Sequence, residues 1–183
     1  LSSPIVGRMT EDKDGNLWIC TEGGGVNVYN RKNNTYRWYR HEEGRNSISH
    51  NNVKAIYYDR TEEIMWIGTH LGGLNKLDLR TNRFTIDPTT LPSDIVRDIV
   101  PYGDKLIIAT QNGVCLFNPA TGTCEHLFKD TKEGRNIGMV ASLYIDKDET
   151  LWVSATGEGV YSYRFDTGKL THYAHNPSIP NTL

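Results

Sequence analysis

Apolar and polar residues alternate along this chain in short runs bounded by Gly, Asn and Asp, the period-two pattern of half-buried strands. In the first stretch the pattern predicts strands over Val6 to Glu11, Leu17 to Thr21, Val26 to Asn30 and Tyr36 to Arg40. The segments between them, Asp12-Lys13-Asp14-Gly15-Asn16, Glu22-Gly23-Gly24-Gly25 and Arg31-Lys32-Asn33-Asn34-Thr35, have turn composition. Farther on, Asp166-Thr167-Gly168-Lys169 puts Gly where a tight hairpin requires positive φ. No stretch carries helical periodicity.

The same pattern returns four times. A Gly is followed four residues later by a bulky residue and seven residues after that by another: Gly25-Tyr29-Tyr36, Gly73-Leu77-Phe84, Gly113-Phe117-Cys124 and Gly159-Tyr163-Leu170. Before each Gly lies a segment of the type Trp18-Ile19-Cys20-Thr21, repeated as Trp66-Ile67-Gly68-Thr69, Ile107-Ile108-Ala109-Thr110 and Trp152-Val153-Ser154-Ala155. Earlier still come Val6/Met9, Val53/Ile56, Val96/Ile99 and Val140/Leu143, with the valines 47, 43 and 44 residues apart. A period of that length belongs to propeller blades, in which each four-stranded sheet buries its two apolar faces against its neighbours. The expected fold is all-β, a β-propeller fragment of four consecutive four-stranded antiparallel blades of about 43–48 residues each, over about 5–47, 52–91, 95–135 and 139–175. Leu1-Ser2-Ser3-Pro4-Ile5-Val6 aligns with the linker Ile48-Ser49-His50-Asn51-Asn52-Val53, and Asn176 to Leu183 repeats it again, so the chain reads as whole blades of a longer array. On that reading the partners are the remaining blades of the parent protein, and blade faces left open could pair between copies of the chain.

Composition narrows the function. With 20 Lys+Arg against 22 Asp+Glu the net charge is −2, so no basic field exists to hold a nucleic-acid backbone. No apolar run reaches the ~18 residues of a membrane helix, and the first residues carry no signal-peptide pattern. Cys20, Cys115 and Cys124 are too few for a disulfide scaffold and none lies in a CxxC pair. Cys20 takes the small-residue position of Gly68, Ala109 and Ser154, and Cys124 the apolar position of Tyr36, Phe84 and Leu170, so both read as buried thiols.

Asp12 to Leu17 followed by Trp18-Ile19-Cys20-Thr21, then Gly24-Gly25-Val26-Asn27-Val28-Tyr29, with the Asn-Ser-Ile-Ser type of linker, resembles the two-component regulator propeller repeat. All four copies fit; the third departs most, with Tyr102-Gly103-Asp104-Lys105 in place of the Asp-Gly-Asn turn and Ile107 in place of Trp. Members of that family are hybrid two-component sensor histidine kinases of glycan-degrading bacteria. The resemblance implies a periplasmic sensor segment of an inner-membrane protein, responding to oligosaccharides from polysaccharide breakdown, with the kinase chemistry outside these residues.

In such a fold the b–c turns and the d–a linkers emerge on one face. That face would carry Glu22, His70, Gln111, Asn112 and Glu158 from the turns, and Arg45, His50 and Arg135 from the linkers. These planar polar groups suit sugar binding, and they equally suit solvated loops. Trp18, Trp66 and Trp152, at one repeat position, are expected between blades, whereas Trp38 has no aromatic counterpart and is expected at the outer edge. No cofactor or metal is expected: Gly23-Gly24-Gly25 lacks the Lys-Ser/Thr of a phosphate loop, Asp12 to Asn16 lacks the ligands of a calcium loop, and His172 with His175 lacks a third ligand. No Gly-x-Ser-x-Gly elbow is present, so the fragment is read as non-catalytic. Because propellers can assemble catalytic carboxylates from separate blades, a polysaccharide lyase or hydrolase stays open, as does a protein-interaction scaffold.

Overall fold

The computed structural model describes residues 1–86, 91–128, 137–176 and 178. The strands run β1 (Val6–Glu11), β2 (Leu17–Thr21), β3 (Gly25–Asn30), β4 (Thr35–Tyr39), β5 (Val53–Asp59), β6 (Ile64–Thr69), β7 (Leu74–Asp78) and β8 (Arg83–Ile86). They continue as β9 (Val96–Tyr102), β10 (Lys105–Thr110), β11 (Gly113–Asn118), β12 (Thr123–Leu127), β13 (Val140–Ile145), β14 (Thr150–Ala155), β15 (Gly159–Arg164) and β16 (Lys169–Tyr173). They form four sheets of four strands in sequence order, every pairing antiparallel, so each repeat is one up-and-down blade with strands a to d. Strands a and b of blade 1 fall on the residues the alternation predicts; c begins one residue earlier and d runs Thr35–Tyr39.

The spacing of the bulky residues has a direct cause. Tyr29↔Tyr36, Leu77↔Phe84, Phe117↔Cys124 and Tyr163↔Leu170 are facing pairs across the c–d hairpins, so a spacing of seven is hairpin register. The Gly that opens strand c is needed where it stands at positive φ against the next strand. A Cβ on Gly25 or Gly159 would run into the carbonyl oxygen of Tyr39 or Tyr173.

The core lies between blades. Trp18, Cys20, Val26 and Val28 on the trailing face of blade 1 pack on Val53, Ile56, Met65, Ile67, Leu77 and Phe84 on the leading face of blade 2. The next junction sets Ala55, Trp66 and Leu74 against Val96, Ile99, Ile108 and Phe117, and the third sets Ile107, Ala109 and Val114 against Val140, Leu143, Leu151 and Val153. Trp18 and Trp66 therefore sit between blades as expected, with Trp18 stacked on Tyr39 at 5.3 Å. Trp152 occupies the same position on the trailing face of blade 4, where it is only half-buried beside Tyr173. Trp38 is exposed at the outer edge, as anticipated.

Polar contacts fix each blade to its linker. The Ser49 amide donates to Asn75 Oδ1 at 2.8 Å, the Asn75 amide returns to Ser49 Oγ at 2.8 Å, and the Thr69 hydroxyl lies 3.1 Å from the Ser49 hydroxyl. Ser2, Asn27 and Thr21 repeat the arrangement in blade 1. The far end of the same linker holds the blade before it, because Gly25 N–H donates to the Asn51 carbonyl at 2.8 Å.

The a–b turns carry a second device. Asp12 accepts the backbone amides of Asp14 and Asn16 on Oδ1, while its Oδ2 accepts the Trp18 indole N–H at 2.8 Å. Asp146 does the same for Asp148, Thr150 and Trp152. This confirms that the Asp12 loop is a hairpin turn whose carboxylate is fully engaged. Burial works against the Asp12 charge, but the hydrogen bonds from Trp18, Asn16 and Asp14 outweigh it and hold the carboxyl below its ordinary value. In blade 2 the Asp59 turn is one residue longer, and Asp59 Oδ1 takes only the amides of Thr61 and Glu62.

The cysteines require a correction. Cys20 is a buried thiol, and desolvation pushes its pKa up. Cys124 is instead half-buried and disulfide-bonded to Cys115, at a Cα–Cα distance of 5.9 Å. The cause is register: Cys115 faces His126 and Cys124 faces Phe117, so the two cysteines are diagonal neighbours on one side of the β11–β12 hairpin.

Candidate functional site

Strands β1, β5, β9 and β13, the first of each blade, lie side by side around the axis. The residue after each repeat valine, Gly7, Lys54, Arg97 or Ala141, lines a common cleft of about 350 Å³ together with Val6 and Arg8. Strand a is locally irregular here, with register shifts after Val6, Val53 and Val140 and opposite Thr110. Such a bulge re-aims side chains toward the axis.

Three cations reach this cleft. Lys54 Nζ is ion-paired with Glu22 of the neighbouring b–c turn, and that bond holds the Glu22 carboxyl below its ordinary value. Arg97 donates through Nε and one terminal nitrogen to Gln111 Oε1, at 3.2 and 2.6 Å. Arg8, from blade 1, bridges to Asp98 of blade 3 at 2.6 Å. Asp98 also accepts the Leu143 amide of blade 4 at 2.8 Å and the Ile99 amide at 3.0 Å. Burial pushes the Asp98 pKa up, against the Leu143 amide and the Arg8 charge.

The b–c turns do lie beside the linkers. Backbone amides of Glu22, His70 and Gln111 donate to the carbonyls of Ile5, Asn52 and Ile95, each the residue just before a repeat valine. Glu22 and Gln111 thus meet strand-a cations at the cleft, and His70 is near enough to act electrostatically on Glu22. The other expected residues are not brought together with them. Arg45 is solvent-exposed and paired with Glu42 at 2.7 Å, and His50 Nδ1 accepts its own linker's Asn52 amide. Asn112 lines a separate recess with Pro92 and Phe128. Glu158 is spent on the Gly138 amide and the Tyr161 hydroxyl, while its carbonyl lies 2.7 Å from His172 Nε2. Arg135 lies outside the described residues.

Arg8, Lys54, Arg97 and Asp98 escape a reading of the loops because they lie within strands. The available signal is the slot after the repeat valine, where two blades place a long cation and two place Gly or Ala.

Residues 1–23 match the model of the two component regulator propeller family. A curated relative, "Histidine kinase P4" of Formosa agariphila, is 30% identical over 166 residues, which is 84% of this chain and 12% of the relative. Among solved structures, the extracellular domain of a hybrid two component system from B. thetaiotaomicron superposes with a TM-score of 0.84 at 26% identity, over 96% of this chain and 25% of that one. Virginiamycin B lyase from Staphylococcus aureus superposes with a TM-score of 0.69 at 12% identity, over 96% of this chain and 56% of the lyase, and shares the fold alone. The chain thus spans about an eighth of the curated kinase and a quarter of that extracellular domain. One stretch of the chain, residues 1–23, thus matches a two component regulator propeller repeat, and the chain as a whole, four blades of one repeat, is similar to the extracellular domain of a hybrid two-component system.

Proposed function

We propose that this chain is the ligand-recognising part of a periplasmic sensor in an inner-membrane, hybrid two-component signalling protein, and that its axial cleft binds an oligosaccharide released from a polysaccharide. The observation that carries this reading is the pairing of b–c turn groups with strand-a cations at the cleft mouth, Glu22 with Lys54 and Gln111 with Arg97. Together they present donors and acceptors of fixed orientation beside a hollow left by Gly7 and Ala141. The fragment itself is read as non-catalytic. The carboxylates that pair with the cleft cations are engaged, Glu22 by Lys54, and Asp98 by Arg8 and two backbone amides, which suits a binding site better than acid–base exchange.

Thermal-shift screening against oligosaccharides, with product analysis, tests this. A sugar that raises Tm and is recovered intact supports sensing. A sugar recovered depolymerised supports the lyase or hydrolase reading, and no shift with any sugar overturns saccharide recognition by these blades.

A further inference from the structure

Resting on the reading of the axial cleft as a saccharide site, we propose that its ligand is an acidic oligosaccharide whose carboxylate or sulfate group is taken by Arg97, with Lys54 beside it. The charges around the cleft are unbalanced in one place. Arg8 is matched by Asp98 and Lys54 by Glu22, whereas Arg97 has no carboxylate partner among the described residues and is held by the neutral Gln111.

That arrangement suits an anion receptor. Gln111 Oε1 takes the Nε and one terminal N–H of the guanidinium, which fixes its plane, and three of its five N–H donors stay available. Arg97 is half-buried, so it has already lost part of its hydration, and a planar or tetrahedral oxyanion would restore it by charge-assisted hydrogen bonds. At the positions that correspond to these two cations, blades 1 and 4 hold Gly7 and Ala141, which leaves room beside the Arg8–Asp98 pair for a sugar ring. Glu22 tempers the site, because its carboxylate already neutralises Lys54 and a bare anion would meet that negative charge beside Arg97. A polyhydroxylated acid satisfies all of these groups at once; a neutral sugar leaves Arg97 uncompensated.

The test is calorimetric titration of the chain with four probes: tri-galacturonate, a sulfated galactose trisaccharide, neutral galactotriose and sodium sulfate. The expected result is that at least one acidic trisaccharide binds about tenfold or more tightly than galactotriose and sodium sulfate, weakening as salt rises from ~20 to ~200 mM. Whether the carboxylated or the sulfated arm wins identifies the acid. Arg97→Gln, with an unchanged unfolding profile, weakens the acidic ligand by about tenfold to a hundredfold, and Arg97→Lys recovers part of the loss. Galactotriose binding as well as the acids, or Arg97→Gln leaving acid affinity intact, overturns this inference while the sensor reading stands. Sodium sulfate binding as well as the sugars reduces the cleft to an anion site and overturns it too, and binding of none of the four removes both readings.

Discussion

The leading faces of blade 1 and blade 2 carry the same pattern in different surroundings. Val6 and Met9 are 44% and 57% exposed, whereas their counterparts Val53 and Ile56, covered by blade 1, are 1% and 9% exposed. Tyr36 is likewise exposed where Phe84 is buried. Backbone, register and residue class are alike, so the difference lies in the neighbour. The apolar positions of a blade become core only when another sheet is laid on them, as expected where each repeat contacts only its neighbours.

The largest effect should come from breaking the closed face. Ile56→Ala is expected to cost about 2–5 kcal/mol in urea unfolding, because the cavity opens between two sheets that are held apart by their other side chains. Equal losses for Ile56→Ala and Met9→Ala would mean that the open face is covered in solution.

Next in size is Asp12→Ala, which leaves the buried Trp18 indole N–H without its acceptor and should cost about 1–3 kcal/mol, more than Asp59→Ala in the unlatched turn of blade 2. The sign with pH follows from the lowered pKa of Asp12. Its contribution is complete above the ordinary value of 3.8 and is lost as pH falls through the depressed folded value. The wild-type acid limb of Tm against pH should therefore flatten in Asp12→Ala.

A smaller effect, about 1 kcal/mol, is expected for Arg8→Ala, since Arg8 is half-exposed although its partner Asp98 is buried. Asp98 acts with the opposite sign. Its folded pKa is raised, so the stability it contributes is present below 3.8 and is lost as pH rises through the folded value. Removing Arg8 should steepen that loss in a pH series of unfolding curves. Smallest of all, Met9→Ala should stay within ~0.5 kcal/mol of wild type by the same urea measurement.

The blades were legible because the c–d hairpin forces a fixed spacing between facing bulky residues, as with Leu77 and Phe84, and because junction residues such as Trp18 and Trp66 recur at one position. What escaped has a physical reason in each case. The Asp–Trp latch spans six residues in blades 1 and 4, whereas in the longer turn of blade 2 Asp59 takes the amides of Thr61 and Glu62, so the latch is not a repeat-wide signal. The Cys115–Cys124 bond depends on diagonal neighbours within a hairpin, which a count of cysteines does not reveal. For the candidate site, Glu22 and Gln111 can be named from the turns, but Lys54 and Arg97, which they bond, lie in strands. Arg45, His50, Asn112 and Glu158 were named from loop position alone, and a loop side chain's direction is set by local hydrogen bonds that alternation does not encode.

The connecting segment between blades 1 and 2 grips both of them, Ser49 holding Asn75 ahead and Asn51 holding Gly25 behind. A genetic duplication that copied one sheet without this strap would deliver a unit unable to fasten itself into the row, whereas a copy beginning at the serine carries its own buckle. Arrays of this kind should therefore lengthen or shorten by strap and sheet together, so that a recognition surface can be reshaped one whole module at a time.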